Sequence, residues 1–140
     1  MQDEVEYPPW VKEILKKISV TIYLEKGKQI LRKNEPINNL RSKHLSSGGS
    51  EFKQRAFIIG FEDYEKVWNK PPDCGDIIVK IYNLGEPRKY RVEIFCSGVN
   101  KKIIYFEGRE ILVYEGYREE DIKARRQVKG TVIFDVTLPA

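Results

Sequence analysis

Apolar side chains near the start of the chain recur at helical spacing, and these are Trp10, Val11, Ile14, Leu15 and Ile18. Spacings of three and four residues place such positions on one face of an α-helix. Pro8 and Pro9 fit the first turn, where a missing N–H leaves no helical hydrogen bond unmade. The sequence therefore predicts one amphipathic helix in the N-terminal region, with its apolar face against the core.

From Ser19 onward the hydrophobic period changes to two, which is typical of half-buried strands. The pattern predicts strands over residues 19–24, 29–33, 56–61, 77–82, 90–96, 103–106, 111–114 and 131–138. Turn residues between 82 and 90, and again between 106 and 111, predict two β-hairpins. Residues 26–28 are expected to form a turn, and residues 62–70 a short helical turn.

Turn signals at short, regular intervals favour antiparallel sheets, because a parallel α/β sheet would need a long helix between successive strands. We therefore expect a mainly β fold: an antiparallel sandwich of seven or eight strands, or a partly open barrel, with the one N-terminal helix. The 140 residues fit a single domain covering positions 1–140. Residues 34–50, which are polar and rich in Ser, Gly and Asn, are expected to form a long loop that can be mobile.

The composition suggests where the protein works. The first residues are acidic, no run of about 18 apolar residues occurs, and no signal peptide is evident. These features predict a cytoplasmic protein without a membrane segment. A charge-rich sequence with few Gln residues also agrees with a heat-loving source, although an AT-rich genome would favour the same Lys, Ile and Tyr codons.

The Cys and His content limits the chemistry that the chain can perform. Two cysteines and one histidine cannot build an all-Cys/His zinc site with four ligands. Cys74 and Cys96 are interpreted either as two independent thiols, with Cys96 buried on a strand, or as a disulfide. His44 falls in the predicted polar loop, where we expect a solvated side chain without a catalytic partner. The sequence predicts no metal, no cofactor and no catalytic residue.

One segment invites comparison with metal-dependent nucleases. Asp73, Asp76 and Lys80 follow part of the Asp…Asp/Glu-x-Lys pattern, in which two carboxylates hold Mg²⁺ and a lysine assists the attacking water. The residue two before Lys80 is Ile78, so the second acidic ligand is missing. A divergent carboxylate/lysine nuclease is therefore the weakest of the function hypotheses.

The positive charge is concentrated in one part of the chain. Residues 26–55 contain eight basic and two acidic side chains, a local net charge of +6, whereas the rest of the chain sums to −2. Basic residues with interleaved aromatics suit a phosphate backbone and its bases. The candidate nucleic-acid-binding residues are Lys26, Lys28, Arg32, Lys33, Arg41, Lys43, Lys53, Arg55, Tyr23 and Phe52.

Three function classes follow from these patterns. The favoured hypothesis is a non-catalytic interaction, assembly or accessory protein of a thermophile or its virus, whose partner is another protein or a second copy. The alternative is a nucleic-acid-binding module that uses the basic segment 26–55 to hold DNA or RNA. The second alternative is the nuclease. Trp10 and Trp68 would be anchors for a protein partner if they were exposed, but both are expected to pack in the core.

Overall fold

Two antiparallel sheets face each other in the computed structural model, which describes residues 7–23, 29–47, 56–63, 76–126 and 130–139. Within these ranges there are two helices, α1 (Pro9–Lys16) and α2 (Glu119–Lys123), and a 3-10 turn (Ile37–Asn39). The same ranges contain nine strands: β1 (Ile18–Tyr23), β2 (Ile30–Pro36), β3 (Ser42–Ser47), β4 (Ala56–Phe61), β5 (Ile77–Asn83), β6 (Lys89–Cys96), β7 (Lys102–Phe106), β8 (Arg109–Tyr114) and β9 (Gly130–Thr137).

The strands are arranged in the order β2-β1-β7-β8 in one sheet and β3-β4-β5-β6-β9 in the other. Every neighbouring pair is antiparallel. The sheets do not close into a barrel, and the sandwich-like, mainly β architecture confirms the predicted fold class. The described residues contain nine strands where seven or eight were predicted, and the additional strand is β3.

The core lies between the two sheets and beneath α1. Alternate residues of β5 and β6 point into it, because successive side chains of a strand lie on opposite faces; the buried ones are Ile77, Val79, Ile81, Tyr90, Val92, Ile94 and Cys96. The opposite sheet contributes Ile18, Val20, Ile22 and Ile104. The apolar face of α1 covers this core with Val11, Ile14 and Leu15, as its spacing predicted.

Trp10 lies at the rim of the core, where α1 meets the second sheet. Its ring stacks on Tyr90 at a centroid distance of 5.0 Å and meets Phe57 edge-on at 5.5 Å. The ring is therefore half-buried and packed, in agreement with the prediction for this residue. Trp68 and the predicted helical turn lie, apart from Glu62 and Asp63, outside the described residues.

Both predicted hairpins are confirmed. Residues of β5 and β6 pair in unbroken register from Ile77 opposite Cys96 to Asn83 opposite Tyr90. In the β7–β8 hairpin, Glu107 and Gly108 occupy the turn with φ values of 50° and 80°. Two successive positive φ values match the right-handed twist of the flanking strands, which explains why a glycine is placed here.

The expected long loop over residues 34–50 is wrong for most of its length. Residues 34–36 complete β2, the 3-10 turn follows, and residues 42–47 form β3 beside β4. Ile37 and Leu40 are both buried, so two apolar side chains fix the turn beneath α1 and β1. A strand at a sheet edge needs no continuous apolar pattern, which is why its polar sequence resembled a loop. Residues 24–28, with the predicted turn, and residues 48–50 lie outside the described ranges.

Candidate functional site

Half of the predicted nucleic-acid-binding residues can be placed in the structure. Lys26, Lys28, Phe52, Lys53 and Arg55 lie outside the described residues. Arg32 and Lys33 are on β2, and Arg41 and Lys43 lie just before and on β3. Because β2 and β3 are the terminal strands of different sheets and are joined by the 3-10 turn, they share one lateral side of the sandwich. We call these four residues the basic side.

Tyr23 lies on the strand next to β2, one position beyond Ile22, which pairs with Arg32 of the basic side. It occupies the end of β1, a strand between β2 and β7, and its ring is half-buried. The Nζ atom of Lys101 lies 5.4 Å from the centroid of this ring, in a cation–π contact. The ring face that was expected to stack on a base is therefore shared with a lysine from elsewhere in the chain.

His44 is not the solvated loop residue that the sequence predicted. It lies on β3 with a half-buried ring, 5.6 Å from the ring of Phe57 and 6.1 Å from that of Tyr7, measured between centroids. Within the part of the chain that the structure describes, its buried Nε2 atom has no hydrogen-bond partner. Because residues 42–47 form a strand rather than a loop, His44 opposite Ile59 points toward the interior side of the sheet.

A group of three charged side chains and one amide, all buried except the half-buried Asp76, lies at one end of the sandwich. Asp63 follows β4 and Asp76 precedes β5, while Asn100 and Lys102 lie at the start of β7. The Nζ atom of Lys102 is 3.2 Å from Asp63 Oδ2, and the two side chains are 0% and 1% exposed. Asn100 donates a hydrogen bond of 2.7 Å to the same carboxylate oxygen. We call these four residues the buried charge cluster.

The lysine of this cluster also holds the connection between β6 and β7. Its Nζ atom donates to the backbone carbonyl oxygens of Ser97 at 2.6 Å and Asn100 at 3.0 Å. The ring of Tyr114 lies 5.0 Å from the same Nζ atom, and the Tyr114 hydroxyl donates to the carbonyl oxygen of Gly98 at 2.7 Å. Lys102 therefore has donors directed at a carboxylate and two carbonyls, as a buried ammonium requires.

Gly98 allows this connection to pass directly over the cluster. Its φ is +91°, and a Cβ atom added here would lie 2.8 Å from Asp76 Oδ1. Real side chains avoid both the backbone conformation and the contact, so only glycine fits this position without a shift of the cluster.

The pKa of Asp63 is raised to about 6, chiefly because burial disfavours the carboxylate and further because Asp63 hydrogen bonds to the Asp76 carboxyl. Lys102 and Asn100 act in the opposite direction without reversing the shift. A hydrogen bond between two carboxyl groups needs a proton on one of them. Below the Asp63 pKa of about 6 that proton is bound, and the two aspartates together carry a single negative charge, which balances Lys102; above it Asp63 is ionised as well.

Cys96 lies close to the cluster and is a free thiol. Burial raises its pKa to about 12, so the thiolate is not formed near neutral pH. This agrees with the interpretation of a buried, independent cysteine. Cys74 lies outside the described residues.

The residues of the buried charge cluster were not singled out from the sequence, apart from Asp76, because they are spread over 40 positions. One signal was present in the sequence. Lys102 and Ile104 are two residues apart on β7 and face the interior, so an apolar residue would be expected at position 102. Of the nuclease-like pattern, Asp73 lies outside the described residues, and Lys80 on β5 forms an ion pair with Glu93 on β6 at 3.3 Å. In the described ranges, no group of three or more His, Cys, Asp and Glu side chains is arranged to hold a metal ion.

A different kind of surface is found at the edge formed by β9. Its outward-facing side chains are exposed, and Ile133, at 57% exposure, is the most exposed large apolar residue of the described chain. β9 pairs with β6 over eight consecutive positions without a register shift. By contrast, β2, β3 and β8 each contain a shift in their pairing, and β2 ends in Pro36.

Asp135 is the one charged side chain on β9, and it is held against its own sheet. Arg91 on β6 donates to both carboxylate oxygens, at 2.7 and 3.3 Å. This hydrogen bond lowers the pKa of Asp135. Bulges, prolines and charged side chains are common devices that block an edge strand. The pairing of β9 has no bulge, and its one charged side chain is bonded to Arg91 of the neighbouring strand.

Comparisons with other proteins give no relative for this chain: no family model, no curated protein and no solved structure matches it. The helices within the described ranges are all too short to cross a membrane.

Proposed function

We propose that this protein is a non-catalytic interaction protein that binds a partner by adding a strand to the edge of β9. The observation that carries the proposal is the combination of three features of β9: its terminal place in the sheet, its unbroken register with β6, and the exposed side chain of Ile133 near its middle. In strand addition, main-chain hydrogen bonds supply affinity, and alternate side chains supply specificity. An accessory role in a thermophile or its virus stays a prediction from composition.

The position of the charges supports binding rather than catalysis. Lys102 and Asp63 have side chains that are closed off from solvent, so a substrate cannot reach them in this conformation. Their hydrogen bonds hold the β6–β7 connection, which is a structural role. The nuclease hypothesis therefore gains no support from the described residues.

A photo-crosslinking amino acid placed at position 133 tests the proposed function in cells that make the protein. We expect covalent products from position 133 and none from the control position 13, where Glu13 is exposed on α1. A second control carries the probe at position 131. Its yield of covalent product should be lower when Ile133→Lys is also present than when Ile133 is kept. Equal labelling from positions 133 and 13, or no product from either, would contradict binding at β9.

Nucleic-acid binding is the second candidate function, and the basic side is the observation that favours it. Lys33, Arg41 and Lys43 are exposed there, on two strands that flank one lateral side of the sandwich. If three phosphates are contacted, the affinity for a labelled oligonucleotide should fall roughly 40-fold between 50 and 200 mM salt.

Fluorescence anisotropy with single- and double-stranded DNA and RNA measures this effect. Binding should be lost in a variant with Lys33, Arg41 and Lys43 replaced by Gln. It should be retained when the exposed Lys12, Lys16 and Lys123 are replaced instead, which removes the same net charge elsewhere. Equal losses in the two variants would indicate a general effect of charge and would remove the case for the basic side.

A further inference from the structure

We infer that the strand added at β9 is β9 of a second copy of this chain, paired antiparallel around a two-fold axis at Ile133. This inference rests on the proposed function and identifies its partner. Closed two-fold pairs present the same surface from both subunits, so the edge must be complementary to itself. The sequence of β9 can be tested for that property residue by residue.

Opposite residues in an antiparallel pair lie on the same face of the sheet. A two-fold axis perpendicular to the sheet must therefore place one residue opposite its own copy in the partner, and not opposite the next residue along the strand. Ile133 and Phe134 are the two positions nearest the middle of β9. An axis at Phe134 would place Ile133 opposite the partner's Asp135, an apolar group against a charge. An axis at Ile133 places Ile133 opposite the partner's Ile133.

The remaining pairs favour the axis at Ile133 as well. Val132 then lies opposite the partner's Phe134 on the interior face, where both side chains are half-buried. Thr131 lies opposite the partner's Asp135, and its hydroxyl can donate to that carboxylate. The two Asp135 residues are about 13 Å apart along the strand direction, which avoids like-charge repulsion.

The neighbouring structure sets the useful length of this edge. At the start of β9, Gly130 packs against the ring of Tyr114. A Cβ atom added to Gly130 would lie 2.8 Å from Tyr114 Cδ1, so this position has no room for a side chain. Phe134 is held from below by Phe106, with ring centroids 4.8 Å apart. Residues 131–135 are therefore a regular stretch that packs on the core. An axis at Ile133 lies at the centre of this stretch, so that all five residues can pair. Pairing would join two five-stranded sheets into one continuous sheet.

Cysteine cross-linking of the purified full chain tests both the partner and the register, in a Cys74→Ser background. Ile133→Cys alone should form a disulfide-linked dimer under mild oxidation, since directly opposite Cα atoms are about 4.5–5.5 Å apart, within disulfide range. Thr131→Cys mixed with Asp135→Cys should give the mixed dimer. Phe134→Cys alone should give none.

Sedimentation equilibrium measures the association without a cross-link. Ile133→Lys should raise the dimer dissociation constant by on the order of 100-fold, because the two facing Ile133 side chains lose their apolar burial and become a like-charge pair. Ile30→Lys is the matched control: Ile30 is an exposed apolar residue, 45% accessible, on β2, the edge strand of the other sheet at the opposite lateral side from β9, and its replacement should leave dimerisation unchanged.

The outcomes separate this inference from the proposed function. A chain that stays monomeric at all concentrations, or a dimer that cross-links at Phe134 but not at Ile133, overturns the inference. If a monomeric chain nevertheless forms products from position 133 with a different protein in cells, strand addition at β9 stands with another partner. If neither experiment gives a product, both the inference and the proposed function fail.

Discussion

Replacing Lys102 by methionine is expected to lower the free energy of unfolding by about 3–5 kcal/mol, the cost of leaving a buried charge without its partner. Methionine fills most of the volume of the lysine chain but has no ammonium group. Asp63 would keep the hydrogen bond from Asn100 but lose the ammonium group that it pairs with. The nearby Asp76 carboxylate would further disfavour its negative charge. The carbonyls of Ser97 and Asn100 would lose a donor at the same time. Urea unfolding at neutral pH, followed by circular dichroism, measures this loss.

Lys80→Met is the matched control for that experiment. Lys80 also forms an ion pair with a carboxylate, Glu93 at 3.3 Å, but both side chains are partly exposed. Pairs of that kind contribute about 0–1 kcal/mol, so the control should be nearly as stable as the parent protein. Adding Asp63→Asn to Lys102→Met should recover part of the loss, because it removes the stranded charge. If Lys102→Met and Lys80→Met lower the free energy of unfolding equally, the buried charge cluster contributes no more to stability than an exposed ion pair.

The second large effect is a dependence of stability on pH that runs opposite to ordinary acid denaturation. The Asp63 carboxyl has an unfolded pKa near 4 and a folded pKa of about 6. Between these values the folded protein binds more protons than the unfolded chain. The free energy of unfolding contributed by this group therefore falls as the pH rises from about 4 to about 6, by about 2–3 kcal/mol.

Comparison with Asp63→Asn isolates this contribution from the other carboxylates. The asparagine side chain imitates the neutral carboxyl at all pH values, so the variant lacks the titration. The stability of the variant relative to the parent should increase by about 2–3 kcal/mol between pH 4 and 7.5, as measured by urea unfolding at several pH values. A constant difference across this range would falsify the raised pKa of Asp63.

The strands that sequence reasoning found are those with one buried and one exposed face. In β6 the buried residues Tyr90, Val92 and Ile94 alternate with exposed or half-buried ones, so the period of two was visible in the letters. β3 was missed because its position at the sheet edge leaves polar side chains such as Lys43 exposed, and its stability comes from pairing with β4 rather than from its own pattern.

The buried charge cluster was beyond the reach of the sequence for a related reason. Asp63, Asp76 and Lys102 come together only because the end of β4 lies near the starts of β5 and β7. A local sequence pattern does not show which strand ends are neighbours. Hydropathy places lysine on the surface, whereas here burial is compensated by a carboxylate and two carbonyl oxygens. The edge of β9 was predictable as a strand, but its terminal place in the sheet depends on β6, which is about 40 residues earlier.

The pairing of β1 with β7 has a consequence for how the chain folds during synthesis. Ile22 lies opposite Lys102, and Ile18 lies opposite Phe106, so this ladder joins segments about 80 residues apart. At translation rates of about 5–20 residues per second, β1 waits roughly 4–16 s before its β7 partner has been made. Closing so long a loop carries an entropic cost before any contact repays it. Such a topology has high contact order, and we expect the sheet containing β1 to assemble last and to set the folding rate.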